Sequence, residues 1–252
     1  MPRPDDRRPS AAAFLTATWR NLAMLNYEIA PAILAPYVPA GTELDFWRGK
    51  SFVSVVGFLF QQTRVRGIPI PFHCNFEEVN LRFYVRCKTS AGWRRGVVFI
   101  RELVPRRAIA WTARIVYNEP YLALPMSHHI ATASAQPAEI KSATYGWRFR
   151  GEENFMKLTT RGDAQPLRGN SEAEFITEHY WGYTAQRDGS TLEYQVEHPR
   201  WRVWEAQTAE LQCNIAGLYG AKFSSALKAA PASAFLAEGS PVKVYQGVRL
   251  KL

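Results

Sequence analysis

The chain has 252 residues, 47% of them apolar and 13% aromatic, which is enough to bury a large core and excludes a disordered polymer. Its net charge of +9 comes from 31 basic and 22 acidic residues interspersed without a basic stripe or a zinc-finger, helix-turn-helix or RNP pattern, so nucleic acid is not an expected partner. No run approaches the roughly 18 apolar residues of a membrane span, and the opening has no apolar stretch suited to a secretory signal; a cytoplasmic protein without a membrane partner is expected.

Residues 1–13 read as a flexible tail, and no low-complexity linker divides the remainder, so 14–252 is expected to form one domain. Trp19 to Tyr27 reads as strand. Prolines at 31, 36 and 39 then bound one short helical turn. Leu44 to Trp47 and Ser51 to Phe60 flank Arg48-Gly-Lys50 and read as a hairpin, which Ile68-Pro-Ile-Pro71 ends.

From Phe76 to Val85 the alternation is strict, with Val79, Leu81, Phe83 and Val85 on one face and Glu78, Asn80, Arg82 and Tyr84 on the other. A Ser90-Ala-Gly92 turn leads to Gly96-Val-Val-Phe-Ile100 as the hairpin partner, with Arg101 and Glu102 at its end. Between Pro105 and Pro120 the spacing of Ala108, Trp111, Thr112, Ile115 and Val116 favours a helix, although Ile109, Trp111, Ala113 and Ile115 also suit a strand. Such a helix would deliver Arg114, Tyr117, Asn118 and Glu119 at its C-terminal end.

The second half brings a hairpin of Tyr145 to Arg150 with Asn154 to Thr160, and a capping box, Ser171-Glu-Ala-Glu174, opening a helix to about His179. Trp181 to Gln186 and Thr191 to Val196 flank Asp188-Gly189 as another hairpin. Trp201 to Leu211 reads as strand, Phe223 to Lys228 as helix, and Val242 to Leu250 as a closing strand. Many hairpins and few helices predict a β-rich α+β fold, an antiparallel barrel-like sheet with a few short helices.

The row Glu78, Asn80, Arg82, Tyr84 faces either water or a cavity. The apolar partner strand argues that both sheet faces are covered, and alternate residues roughly 7 Å apart can then share one ligand. A buried Glu and Arg must be paired or hold a ligand, because an unpaired buried charge is costly. Adjacent His128 and His129 point to opposite faces of a strand, and His73, His179 and His198 lack metal-ligand spacing, so no metal is expected. His198 is either a general base or a capped loop residue. Cys74, Cys87 and Cys213 have no zinc or redox spacing and read as reduced thiols, and nucleophile-elbow and phosphate-loop motifs do not occur. Trp111, Trp181, Trp201 and Trp204 either line the pocket or fill core.

Several segments together carry a family resemblance: Trp19-Arg-Asn-Leu22, Val38-Pro-Ala-Gly-Thr-Glu-Leu44, Pro69-Ile-Pro71, Phe76-x-Glu78-x-Asn80-x-Arg82-x-Tyr84-Val85, Ala113-Arg114-x-x-Tyr117-x-x-Pro120-Tyr121 and His198-Pro-Arg-Trp201. The chain resembles, nearly end to end, the bacterial family catalogued as domain of unknown function 2071, itself similar in fold to acetoacetate decarboxylase. The resemblance implies a barrel-like antiparallel fold with a central pocket. It also implies matches for that enzyme's early pocket arginine at Arg20 and its central-strand glutamate at Glu78. The decarboxylase also uses a Schiff-base lysine, whereas here no lysine occurs between Lys88 and Lys141; Lys222 and Lys228 are the later candidates.

The expected function is a pocket that binds or acts on a small anionic or carbonyl compound without a Schiff-base lysine. In that reading Glu78 and Arg82 are the catalytic pair, and Arg20, Asn80, Tyr84, Asn118, Glu119, Tyr121 and His198 bind the substrate, with no cofactor. The alternative is a non-catalytic small-molecule binder acting through a partner protein. A third reading makes the polar row a buried ion-pair network. Turnover and homo-oligomerisation are left open by the sequence.

Overall fold

The computed structural model describes residues 12–108, 110, 118–133 and 140–250. The helix expected between Pro105 and Pro120 falls mostly on 109 and 111–117, outside the described residues, as do Trp111, Arg114, Tyr117 and most of the expected tail.

Sixteen strands follow one another: β1 (Leu15–Ile29), β2 (Thr42–Leu44), β3 (Ser51–Val65), β4 (Ile68–Pro69), β5 (Phe76–Thr89), β6 (Gly92–Val104), β7 (Tyr121–Ala123), β8 (Met126–Thr132), β9 (Ile140–Phe149), β10 (Glu152–Pro166), β11 (Trp181–Ala185), β12 (Thr191–Glu197), β13 (Arg202–Gln212), β14 (Ser233–Ala237), β15 (Pro241–Val244) and β16 (Val248–Arg249). The helices are short; Glu172–Thr177 is capped by Ser171 Oγ, which accepts from Glu174 N at 3.1 Å.

Strands β1, β3, β5, β6, β11, β12 and β15 pair in a closed cycle, giving the expected barrel-like, strand-rich fold. The pairings are antiparallel except β6 with β11 and β6 with β7. The sheet forks along β1, whose first half pairs with β15 and whose second half pairs with β14. From β14 the sheet continues through β13, β10 and β9 to β8. This outer sheet packs on the ring, so Val53, Val55, Val79, Leu81 and Phe83 share one core with Tyr145, Trp147, Met156 and Leu158.

That arrangement explains why β3 is buried without a break from Ser51 to Phe60: both of its faces are covered. Gly57 lies where a Cβ would meet the Tyr145 ring at 2.5 Å, so the absent side chain is what lets the layers close. The opposite faces of the same strands, with Leu22, Met24, Val56, Phe58 and Phe60, line a second apolar cluster inside the ring.

Two expectations differ from what is observed. The turn at Arg48-Gly49 forms, with φ of 49° and 80° and a bridge between Trp47 and Lys50, but β2 pairs with β5 rather than β3. Beyond Asp45 the chain is drawn to Tyr84, whose carbonyl accepts from Asp45 N at 3.0 Å. The closing strand is broken into β15, which pairs with β1 and β12, and β16, which pairs with β12 alone. Among the described residues no helix is long and apolar enough to cross a membrane.

Candidate functional site

The ring encloses a cavity of about 440 Å³. Its polar wall starts on β5. Because Val79, Leu81, Phe83 and Val85 are taken up by the core between the layers, the alternate residues point inward, and Glu78, Asn80 and Arg82 all line the cavity. Glu78 and Asn80 are each 2% exposed.

β6 adds Glu102, 1% exposed, by way of a bulge. From the turn, Thr89 opposes Gly92 and Arg82 opposes Phe99, but the register then shifts so that Leu81 opposes Arg101 and Asn80 opposes Glu102. Regular pairing would have put Arg101 opposite Asn80; the extra residue turns Arg101 outward, where its Nε donates to Leu218 O at 3.2 Å, and turns Glu102 inward. β7, parallel to β6, places Tyr121 beside Glu102, with Glu119 just ahead of it. Tyr194 arrives on β12, its ring lying over Gly182 so closely that a Cβ there would meet it at 2.1 Å.

These groups form two hydrogen-bonded sets side by side, with Glu102 between charges of both. Asn80 Nδ2 donates to Glu78 Oε1 at 3.0 Å, and Tyr121 Oη donates to Glu78 Oε2 at 3.2 Å. Glu119 Oε1 accepts from Tyr194 Oη at 2.6 Å and from Thr184 Oγ1 at 3.3 Å, and the Glu102 carboxyl lies close enough to Glu119 for their charges to interact. Burial raises all three carboxyls above their ordinary range. Glu78 rises to about 7; burial lifts it, the bonds from Asn80 and Tyr121 pull back, Glu119 adds to the rise and Arg82 opposes it. Glu102 is raised well above the usual value by burial and then by Glu119 and Glu78, and Glu119 is raised by burial.

Across the cavity the histidines shift the other way. His179, just past the helix Glu172–Thr177, and His198 are both pushed down to about 4, chiefly by burial, and are neutral at pH 7. His179 Nε2 stands 3.7 Å from Asp45 Oδ2, an electrostatic contact. Arg95 Nε donates to the same oxygen at 2.6 Å. His198 stacks on Trp201, with ring centroids 4.2 Å apart.

Several buried polar atoms on the cavity lining have no hydrogen-bond partner among the described residues: Asn80 Oδ1, Arg82 Nε, Glu102 Oε2, Trp19 Nε1, Thr63 Oγ1 and both ring nitrogens of His179. Native proteins leave few such atoms unsatisfied. Three of them, one acceptor, one cationic donor and one carboxyl oxygen, belong to the adjacent residues of β5 and β6.

Of the residues singled out from sequence, Glu78, Asn80, Arg82, Glu119, Tyr121 and His198 meet at this cavity. The other three do not. Arg20 is exposed: Trp19 faces the cavity, and a bulge between Arg20 and Ala23, with Asn21 at φ 56°, brings Leu22 rather than Arg20 to the cavity with it. Tyr84 is buried beyond the cavity end, its hydroxyl 2.6 Å from Ser54 Oγ and its ring 4.7 Å from that of His179. Asn118 binds Ala185 O at 2.9 Å and borders a separate surface hollow with Arg107, Arg187 and Arg249. Trp181 and Trp201 line the cavity, whereas Trp204 belongs to the core between the layers.

Glu102, His179 and Tyr194 complete the site without having been singled out. The pairing of Asn80 with its hairpin partner was the available signal for Glu102, but it carries the wrong parity without the bulge. No lysine lines the cavity among the described residues: Lys88, Lys141 and Lys228 are exposed, and Lys222 sits 4.2 Å over the ring of Tyr37. The described residues contain no group of three or more His, Cys, Asp and Glu arranged to hold a metal ion.

Comparison with known proteins agrees with this architecture. The uncharacterized protein YqjF of Bacillus subtilis is 25% identical over 210 residues, 82% of this chain and 81% of that one. Among solved structures, acetoacetate decarboxylase from Legionella pneumophila superposes with a TM-score of 0.64 at 14% identity, covering 100% of this chain and 92% of its own. The enduracididine biosynthesis enzyme MppR complexed with pyruvate superposes with a TM-score of 0.67 at 11% identity, covering 98% and 95%; both likenesses are of fold. The model of the DUF2071 family, described as uncharacterized conserved proteins, matches residues 16–241, and the chain belongs to that family.

Proposed function

We propose that the cavity binds or acts on a small anionic or carbonyl compound without a Schiff-base lysine. The observation that carries this reading is the grouping of unpartnered Asn80 Oδ1, Arg82 Nε and Glu102 Oε2 on one buried wall. Leaving such atoms empty costs free energy that a ligand recovers. Arg82 supplies the fixed positive charge for a carboxylate or polarised carbonyl oxygen. Glu102, whose carboxyl burial keeps neutral, adds no negative charge beside such an oxygen. Glu78, with its carboxyl near pH 7, is matched to proton transfer at a carbon next to a carbonyl. MppR, of the same fold, has been obtained with pyruvate, a compound of this class.

A second reading, binding without turnover and output through a partner protein, draws on the lack of a lysine on the described lining. The two separate in one experiment. Purified protein is screened by thermal shift against small carboxylates, keto acids and aldehydes, where a ligand at a hundred times its dissociation constant adds about 2.7 kcal/mol. The expected result is a stabilising keto acid whose effect disappears in Arg82→Ala. Proton exchange or decay of that ligand, lost in Glu78→Gln, marks an enzyme; binding with no chemical change marks a binder. A folded Arg82→Ala that binds the ligand as well as the parent does contradicts the proposal.

A further inference from the structure

The polar wall occupies only one side of the cavity. Adjoining it along the wall are Trp19, Phe58 and Phe60 of β1 and β3, Phe76 at the start of β5, and Val244 of β15. Rings pack edge to face there, Trp19 with Phe58 at 5.4 Å, and Phe60 stacks on Phe76 at 4.7 Å. Trp19 Nε1 and Thr63 Oγ1 interrupt this surface with single uncharged polar atoms. The cavity opens beside the segment after β4: Ile70 lines it and is 42% exposed. A ligand therefore enters along apolar surface and meets the buried carboxyls and Arg82 inside.

The size of the cavity adds a second constraint. At roughly one water's share of liquid volume, ~30 Å³, per non-hydrogen atom, 440 Å³ holds about fifteen such atoms. A compound of pyruvate's size has about six and leaves more than half of an apolar space empty. An apolar ligand group in that space gains both burial and dispersion contacts.

We infer that the ligand is amphipathic: a compact oxo-acid head on Arg82, beside Asn80 and the buried Glu102, and an aliphatic or aromatic tail lying against Trp19, Phe60 and Phe76 towards the Ile70 opening. This deepens the reading above and rests on it. The head is placed inward by burial, since Glu78, Asn80 and Glu102 are at most 2% exposed whereas Ile70 is 42% exposed. A tail longer than the cavity emerges past Ile70, so the gain with tail length ends in a plateau rather than exclusion.

The test is calorimetric titration of the unmodified protein with linear 2-oxo acids from pyruvate to 2-oxotetradecanoate, and with phenylpyruvate. Affinity is expected to rise about fourfold per added methylene and then level off. In Leu15→Trp, at the half-buried start of β1 on the cavity lining, the plateau is expected at a shorter chain. Pyruvate binding with an affinity that stays flat or falls as the chain grows overturns the tail and leaves the anion-binding reading intact. If no 2-oxo acid binds while 1-octanol does, the head assignment fails and the reading above fails with it. The chain-length series on the parent protein decides the matter even if the variant does not fold.

Discussion

The two faces of β5 are both buried and do opposite things. Val79, Leu81, Phe83 and Val85 pack against the outer sheet, while Glu78, Asn80 and Arg82 on the reverse face line a cavity. In a one-sided sheet the polar face of an alternating strand goes to water; here closure of the ring takes it away from water. Burial on the first face is stabilising because the side chains are apolar. On the second it raises carboxyls and leaves polar atoms unpartnered. One strand thus divides into a face that holds the fold together and a face that strains against it, as sites for ligands commonly do.

The largest effect that would break this contrast lies on the apolar face. Phe83→Ala should destabilise by about 3–5 kcal/mol, read as a lower denaturant midpoint; a loss under about 1 kcal/mol would mean that the layers are not packed as described. The polar face should respond to pH instead. The folded Glu78 carboxyl titrates near 7 against 4.5 for the free group, so between those values the folded form keeps a proton that the unfolded chain has lost, and stability falls as pH rises through the window. The fall should be on the order of 2–3 kcal/mol, and Glu78→Gln should flatten it. His179 and His198 act with the opposite sign. Their folded values near 4 lie below the free 6.5, the unfolded chain binds the extra protons, and stability rises from pH 4 to 6.5. His198→Phe should weaken that acid limb in urea titrations at stepped pH.

A smaller effect sharpens the contrast within the polar cluster. Gly182→Ala puts a methyl into the ring of Tyr194 and should cost about 1–3 kcal/mol, with the lost Tyr194 bond to Glu119 visible as altered near-ultraviolet circular dichroism. The smallest effect is expected at Arg20→Ala. An exposed arginine away from the cavity should change stability by less than about 0.5 kcal/mol and leave ligand affinity unchanged.

Much of this was legible in the residues. Strict alternation over Phe76 to Val85 gave β5, the Ser90-Ala91 and Asp188-Gly189 turns gave the hairpins on either side of the site, and the apolar partner strand argued for coverage of both faces. What alternation alone could not decide was which face meets the cavity, since that depends on closure of the ring by pairings between distant segments. Glu102 was hidden by a one-residue bulge that reverses the parity of β6. His179 and Tyr194 reach the cavity through the parallel pairing of β6 with β11, a contact with no local signal. Arg20 was placed by resemblance rather than by its own pattern, and next to the inward-facing Trp19 it is exposed.

The most direct measurement compares ligand affinity of Arg82→Ala and Arg20→Ala by titration calorimetry with the best 2-oxo acid from the screen. The polar face of β5 as the binding wall predicts that Arg82→Ala abolishes measurable binding while Arg20→Ala matches the parent. Binding that survives loss of Arg82, or is lost with Arg20, would contradict it.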